Sequence, residues 1–264
     1  MNTPTILLVN DDGINSPGLA AAAKALLPLG RLVVAAPETQ QTSMGRAYTG
    51  NADARFRKVA FPLEGVEAYA LDASPAAVVR HALFALHLKP TLVVSGINYG
   101  ENVGINVTGS GTVGATFEAF ERGLPGLAVS LETDVTSHHN YTEQNWDACI
   151  HFTRLFAGTI LARGMTPGAD VLKVEVPAGA TENTPWKARR ISTLPYYKLH
   201  LPDANPNSRL GDCGACGKFP GAGEPNDTDA YAIRTEKVVA VTPMTMDMTA
   251  YAAMKSLESW AEKA

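Results

Sequence analysis

The sequence has few cysteines, no strong excess of one charge and no long hydrophobic run, and each of these absences excludes a class of protein. Its 264 residues include only three cysteines, Cys149, Cys213 and Cys216, which are too few and too unevenly spaced for a disulfide framework. The net charge is -4, from 22 basic and 26 acidic residues, and this mild acidity does not favour a nucleic-acid polymer as partner. No run of about eighteen apolar residues occurs, so no segment is expected to span a membrane.

The N-terminal segment also lacks the features of a secretory signal. It enters an apolar stretch at Thr5 with no basic region before it. We therefore expect a cytoplasmic protein without a membrane partner. The length of the chain suits one large α/β domain, or a domain with an appendage.

Short apolar runs alternate with helical patterns over most of the chain. The runs predict strands at 5–10, 31–36, 91–95, 127–131, 171–176 and 238–243, and the helical patterns lie at 19–27, 75–86, 112–122, 143–161 and 249–261. This alternation predicts an α/β fold with a largely parallel sheet covered by helices on both faces.

The alternation weakens after about residue 177, where Pro, Gly, Asn and Asp become frequent. We expect residues 178–236 to form an excursion of hairpins and loops that serves as an oligomerisation arm. Residues 1–177 and 237–264 are expected to form the core.

Polar side chains follow three of the predicted strands. They are Asn10, Asp11 and Asp12 after the first, the run Gln-Gln-Thr-Ser at 40–43 after the second, and Ser95 and Asn98 at the third. Because the carboxyl ends of parallel strands meet at one edge of a sheet, carboxylate, hydroxyl and amide oxygens would converge there. Such hard donors suit Mg²⁺ or Mn²⁺ far better than Zn²⁺. A solvated turn is the alternative interpretation of the first segment, since Asn, Asp and Gly are common turn residues.

The segment GSGTVG, at 109–114, opens a predicted helix. Its glycines allow backbone N–H groups to approach an anion, and the helix N-terminus adds the positive end of its dipole. Ser110 and Thr112 add hydroxyl donors. A divalent cation facing such an anion cradle is the arrangement that phosphoryl chemistry needs.

The same segment also satisfies a dinucleotide-binding pattern. Gly109, Gly111 and Gly114 match G-x-G-x-x-G, and Glu132 follows at about the distance of a ribose-binding acid. That pattern requires a strand before its first glycine, and GENVGIN at 100–106 is a poor strand. A dinucleotide- or nucleotide-binding protein without turnover is therefore the alternative function.

Two other groups of potential metal ligands are weaker. Cys213 and Cys216 form a single C-x-x-C without the second pair that a zinc ribbon needs, so we expect reduced thiols in a loop. His138 and His139 lie in a polar stretch that is typical of a loop rather than of a ligand pair.

Four segments together resemble the SurE family of survival-protein phosphatases. They are ILLVNDDGINSPGL, VVAAPETQQTSMGR, VVSGINYGENVGINVTGSGTVGATFEA and GLPGLAVS, in that order and spacing, and VVAVTPMTMDMTAY is similar to the family's closing strand and helix. The resemblance implies a three-layer Rossmann-like sandwich and a phosphomonoesterase acting on nucleoside 5'- and 3'-monophosphates. It also implies one divalent ion per subunit, Mg²⁺ or Mn²⁺, and a homodimer or homotetramer built by an extended hairpin and a swapped C-terminal segment.

The resemblance also implies roles for individual residues. By position, the metal ligands are Asp11, Asp12, Thr42 and Asn98, with Ser43 as a substitute for Thr42. Asp11, Asp12 and Asn98 are the catalytic residues, and Ser110, Gly111 and Thr112 hold the phosphate. The family usually has Ser-Gly where this chain has Thr42-Ser43, so we expect the backbone at Ser43 to adopt a conformation that suits glycine.

Overall fold

The apolar runs of the sequence become strands of one nine-stranded sheet and a separate hairpin. The computed structural model describes residues 3–138, 140–219 and 221–260. The strands are β1 (Thr5–Val9), β2 (Arg31–Pro37), β3 (Arg57–Lys58), β4 (Glu67–Leu71), β5 (Leu92–Tyr99), β6 (Gly126–Leu131), β7 (Val171–Val176), β8 (Trp186–Ala188), β9 (Tyr197–His200), β10 (Gly214–Lys218) and β11 (Val239–Met244). The helices are α1 (Pro17–Leu26), α2 (Pro75–Ala85), α3 (Gly111–Glu121), α4 (Asp147–Arg163), α5 (Asp229–Tyr231) and α6 (Tyr251–Glu258).

The large sheet is mostly parallel, which confirms the predicted fold class. Its strand order is β3-β4-β2-β1-β5-β6-β7-β11-β8, and only the β3–β4 and β7–β11 pairs are antiparallel. The chain moves outward from β1 through β2 to β4, and then returns to place β5 on the other side of β1. The strand order therefore reverses between β1 and β5, and open α/β sheets bind their ligands at the carboxyl edge of such a point.

Alternate side chains of β1 enter two separate apolar layers. Ile6 and Leu8 belong to a cluster with Phe152 of α4, whereas Leu7 belongs to a cluster with Val78 of α2. Successive side chains of a strand point to opposite faces, so a strand buried on both faces is apolar throughout. Helices thus cover both faces of the sheet, and the molecule is a three-layer sandwich.

Two element boundaries differ from the sequence-based expectation by four residues, the end of β5 and the start of α4. β5 continues to Tyr99, because its pairing with β6 resumes at Asn98 and Ser130 after a register shift that begins at Ser95. α4 begins only at Asp147, whose backbone N–H donates to the Asn145 side chain at 2.9 Å. Such a local side-chain bond competes with the helical pattern and favours a later start.

The segment 178–236 contributes both to the large sheet and to a hairpin beside it. β8 pairs in parallel with β11 of the large sheet, and β9 and β10 form a two-stranded antiparallel hairpin. The division of the chain at 178–236 stays a prediction. No helix among the residues that the structure describes has both the length and the apolar character needed to cross a bilayer.

Candidate active site

The turn after β1 directs two carboxylates to the switch point of the sheet. Asn10 Nδ2 donates to the Gly13 carbonyl at 3.1 Å, and the Gly13 N–H donates back to Asn10 Oδ1 at 3.1 Å. Gly13 has a φ of +99°, which a residue with a side chain rarely adopts. Asp11 and Asp12 lie inside this fixed turn and are only 7% and 3% exposed. A solvated turn, the alternative interpretation, would leave both in water.

Asp11 lies against the N-terminus of α3. The hydroxyl of Thr112 donates to Asp11 Oδ1 at 2.5 Å, and Ser110 caps the helix by accepting the Val113 N–H at 3.1 Å. A Cβ added to Gly111 would lie 2.8 Å from the Asp11 Cβ, so the backbone approaches the aspartate as closely as only glycine allows. The helix N-terminus, which the sequence assigned to phosphate, is therefore also in contact with a carboxylate.

Asp12 is held by groups that sequence reasoning did not assign to the site. The backbone N–H of Tyr99 donates to Oδ2 at 3.0 Å, and Gln40 Nε2 donates to Oδ1 at 3.2 Å. Gln40 also donates to the carbonyl of His138 at 2.6 Å, and the Tyr141 hydroxyl donates to the Asp12 carbonyl. The sequence could have indicated Gln40 as a site residue, because Gln40 belongs to the polar run after β2. No sequence pattern indicated Tyr141, since it lies in a polar loop far along the chain.

Burial disfavours ionisation of the carboxylate pair. It raises the pKa of Asp11, against the lowering effect of the Thr112 hydroxyl. Burial, followed by repulsion from Asp11, raises the pKa of Asp12 to about 8. Within the described ranges, neither carboxylate has a lysine or arginine as an ion-pair partner. A cation bound between them would supply the missing positive charge.

The oxygen donors around the pair fit a small divalent cation. Both side-chain hydrogen bonds described for Asn98 are donated by Nδ2, to the carbonyls of Gly100 at 2.7 Å and Tyr99 at 3.4 Å, so Oδ1 is the remaining acceptor. No group of three or more His, Cys, Asp or Glu suited to a metal occurs in the part of the chain that is described. A cation here would complete its shell with amide, hydroxyl or water oxygens, as Mg²⁺ does.

The loop after β2 reaches the site through its backbone. The Gln41 N–H donates to the Asp11 carbonyl at 2.7 Å, and Thr42 and Ser43 follow on the exposed side of the loop. Ser43 has a φ of +61°, a conformation that favours glycine, as expected from the family pattern. Neither hydroxyl makes a hydrogen bond within residues 3–138, 140–219 and 221–260, so the choice between them as ligand stays a prediction.

The dinucleotide-binding alternative lacks its required strand. Residues Gly104–Gly109 form a 3₁₀ turn rather than a strand before the first glycine. Glu132 accepts the Ala178 N–H at 3.0 Å and pairs with Lys237 at 3.1 Å, so its carboxylate is already engaged. Neither part of the dinucleotide pattern has its structural context.

Among the described residues, the cysteines make no hydrogen bond to the carboxylate pair, and His138 borders the pair through its contact with Gln40. Cys213 and Cys216 are free and exposed at the β9–β10 hairpin, and Cys149 is buried in the core. His138 ends the 3₁₀ turn Val135–His138, and its ring lies edge-on to Tyr197 at 5.8 Å. His139 lies outside the described residues.

The fold and the site together define a doubly wound α/β protein with a buried pair of carboxylates at the switch point. The chain belongs to the SurE family, since the model of that family, described as survival protein SurE, matches residues 6–197. This membership confirms the resemblance that the sequence motifs indicated.

Known proteins similar to this chain cover nearly its whole length. A protein named 5'-nucleotidase SurE from Thermococcus gammatolerans is 39% identical over 259 residues, covering 96% of this chain and 94% of that protein. A protein of the same name from Rubrobacter xylanophilus is 36% identical over 266 residues, covering 97% and 96%. The crystal structure of the SurE protein from Aquifex aeolicus has a TM-score of 0.78 and 30% identity, covering 98% of this chain and all of that one (100%).

Proposed function

We propose that this chain is a divalent-metal-dependent phosphomonoesterase that hydrolyses nucleoside 5'-monophosphates, and also 3'-monophosphates, to nucleoside and phosphate. The observation that carries the proposal is that the buried Asp11–Asp12 turn meets the N-terminus of α3 and Tyr99, the residue after Asn98, at the switch point of the sheet. The substrate class is supported by relatives named 5'-nucleotidase SurE that align over more than nine-tenths of the chain.

One divalent ion per subunit, Mg²⁺ or Mn²⁺, would be held by Asp11, Asp12 and Asn98. Thr42, or Ser43 in its place, adds a hydroxyl from the loop after β2. The chemistry that such an ion supplies when bound is Lewis-acid stabilisation of charge on the phosphoryl oxygens.

The residues of the chain itself supply the remaining parts of the reaction. The Val113 N–H already donates to Ser110 Oγ. The phosphoryl oxygens would be bound by the N–H groups of Gly111 and Thr112, which have no partner within the helix, and by the proton of the Ser110 hydroxyl. Because these donors are fixed before the reaction, they stabilise the charge of the transition state without reorganising. Asp12, fixed by the Tyr99 N–H and Gln40, orients the attacking water and accepts its proton.

The proposed assembly is a homodimer or homotetramer formed through residues 178–236 and α6. Large apolar side chains on these segments are exposed, among them Leu199, Leu210, Tyr251 and Leu257. Light scattering on the purified protein measures its mass in solution and so tests the proposed assembly. A monomer at micromolar concentration would contradict it.

A phosphate-release screen tests the function. The purified chain is incubated with nucleoside 5'- and 3'-monophosphates and with p-nitrophenyl phosphate, in Mg²⁺, in Mn²⁺ and in EDTA. We expect phosphate release that needs the ion and is lost in EDTA. Nucleotide binding by calorimetry without phosphate release under any of these conditions would favour the alternative, a nucleotide-binding protein without turnover.

A further inference from the structure

A buried glutamate on α3 joins the loop after β2 to the helix that forms the proposed phosphate cradle. The side chain of Glu118 is 1% exposed. Arg46 of the loop donates to its Oε2 from Nε and from Nη2, each at 3.1 Å. Arg80 of α2 donates to its Oε1 at 2.6 Å and to its Oε2 at 3.0 Å. The carboxylate of Glu118 thus links both the loop after β2 and α2 to α3.

The backbone of the loop is pressed against the same helix. The Gly45 N–H donates to the Gly109 carbonyl at 2.9 Å. A Cβ added to Gly114 would lie 2.0 Å from the Gly45 carbonyl oxygen, so the two backbones are in direct contact. Arg46 is the next residue along the chain, and its side chain spans the contact to reach Glu118 and also pairs with Glu121.

The loop that carries Thr42 and Ser43 depends on contacts with its surroundings, because its backbone conformation at Ser43 is unfavourable by itself. Ser43 has a φ of +61°, and left-handed backbone at a residue with a side chain costs free energy that surrounding contacts must offset. Thr42 and Ser43 are exposed, and the hydrogen bonds that link the preceding residues to the turn after β1 are those of the Gln41 N–H to the Asp11 carbonyl at 2.7 Å and of Gln40 Nε2 to Asp12 Oδ1 at 3.2 Å. After Ser43, the first hydrogen bonds to another segment are those of Gly45 and Arg46.

From this arrangement we infer that Arg46, through Glu118, is a positioning residue that holds the Thr42-Ser43 loop beside Asp11 and thereby sets the affinity of the site for its divalent ion. The inference rests on the proposed function, because it assumes that a hydroxyl of this loop is a ligand. The guanidinium of Arg46 is engaged by Glu118 and Glu121, so we assign it no role as a ligand of the ion.

Arg80 provides a matched control. It makes an equally complete pair of hydrogen bonds to Glu118 and joins α2 to α3. Its guanidinium also lies 4.2 Å from the centre of the Tyr48 ring, which is farther along the loop from Thr42 and Ser43 than Arg46 is. Arg46→Met and Arg80→Met each leave Glu118 with the other arginine as partner, so neither change leaves an unpaired buried charge. Both variants should lose thermal stability, and Arg46→Met should disturb the Thr42-Ser43 stretch more than Arg80→Met, because Arg46 lies nearer to that stretch along the chain.

The experiment measures Mn²⁺ binding by calorimetry in the purified protein, without substrate, alongside the melting temperature of each variant. We expect Arg46→Met to raise the Kd for Mn²⁺ by about fivefold or more and Arg80→Met to change it by less than about twofold. Arg46→Lys keeps the charge but loses the paired hydrogen bonds from Nε and Nη2 to Glu118. Its affinity for Mn²⁺ should therefore lie between those of Arg46→Met and the wild type.

Equal weakening of Mn²⁺ binding in both methionine variants, or unchanged binding in both, would overturn the inference while leaving the proposed function intact. If Arg46→Met does not fold, Arg46→Lys with a Kd equal to that of the wild type would overturn it. Wild-type protein that neither binds Mn²⁺ nor releases phosphate would refute the proposed function, and the inference with it.

Discussion

Replacing Gly111 by alanine is expected to disable the site while leaving the fold in place. Gly111 is the first residue of α3, and its backbone lies against Asp11. The added Cβ would lie 2.8 Å from the Asp11 Cβ and 2.9 Å from its Oδ2. These distances are too short for any real Cβ, so either the aspartate or the start of the helix has to move.

The size of this movement gives the expected loss of activity. Carbon atoms in contact prefer a separation of about 3.5–4.0 Å, so the two groups must separate by about 1 Å. A misplacement of about 1 Å in a catalytic constellation costs about a hundredfold in rate. We therefore expect kcat/KM for p-nitrophenyl phosphate with Mn²⁺ to fall by about a hundredfold in Gly111→Ala.

Gly109→Ala is the matched control for this prediction. Gly109 lies two residues earlier in the same segment, and a Cβ added there would have no heavy atom within 4 Å. Gly111 lies in α3. Because alanine is a better helix former than glycine, Gly111→Ala should not lose stability through helix propensity. Melting temperatures close to that of the wild type would show that both variants are folded.

Comparison of Gly111→Ala with Gly109→Ala tests whether the contact between Gly111 and Asp11 controls activity. If Gly111→Ala retains kcat/KM within about threefold of the wild type, the contact with Asp11 does not set the geometry of the site. Equal losses of kcat/KM in both variants would mean that activity depends on the flexibility of the glycine-containing segment at 109–111. The close approach of Gly111 to Asp11 would then not be the cause.

Three further predictions follow from the same site. Asp11→Asn and Asp12→Asn should each lower turnover at least about a hundredfold, and near-normal phosphate release by both would contradict the metal assignment. Thr42→Val should raise the Mn²⁺ concentration for half-maximal activity and Ser43→Gly should not; the reverse result would make Ser43 the ligand. Burial opposes ionisation of Glu118, but hydrogen bonds from Arg80 and Arg46 hold its pKa below the ordinary 4.5. Glu118→Gln should therefore lower the melting temperature at pH 7, and this deficit should shrink below about pH 4.5; a deficit independent of pH would refute the charge argument.

The sequence was informative wherever structure depends on a local pattern. The buried runs of β1 and β2 are apolar at nearly every position and are followed by polar residues, so their existence and approximate bounds could be read directly. The meeting of Asp12 with Tyr99, the residue after Asn98, agrees with the parallel arrangement, because parallel strands place their carboxyl ends at one edge.

The sequence was uninformative wherever a group is fixed by distant contacts. The extension of β5 to Tyr99 depends on its pairing with β6, and no propensity of the segment INYG indicates it. The bond from Tyr141 to the Asp12 carbonyl joins residues 129 positions apart. The hydroxyl of Thr112 was expected to bind phosphate, and the structure places it on Asp11, because the turn after β1 brings that carboxylate to the helix.

The difference between a solvated turn and a ligand site is a difference in burial, and residue types do not encode it. Asn-Asp-Asp-Gly is an ordinary turn composition, and in water its carboxylates would ionise at no cost. Here the turn is covered by the loop that carries Tyr141 and by the start of α3, so ionisation of Asp11 and Asp12 is opposed by desolvation and mutual repulsion. Two acids kept in such a position destabilise the fold unless a positive charge offsets them. Their retention at the switch point therefore favours a cationic ligand, and the metal-binding role is the most economical physical account of why this strand ends as it does.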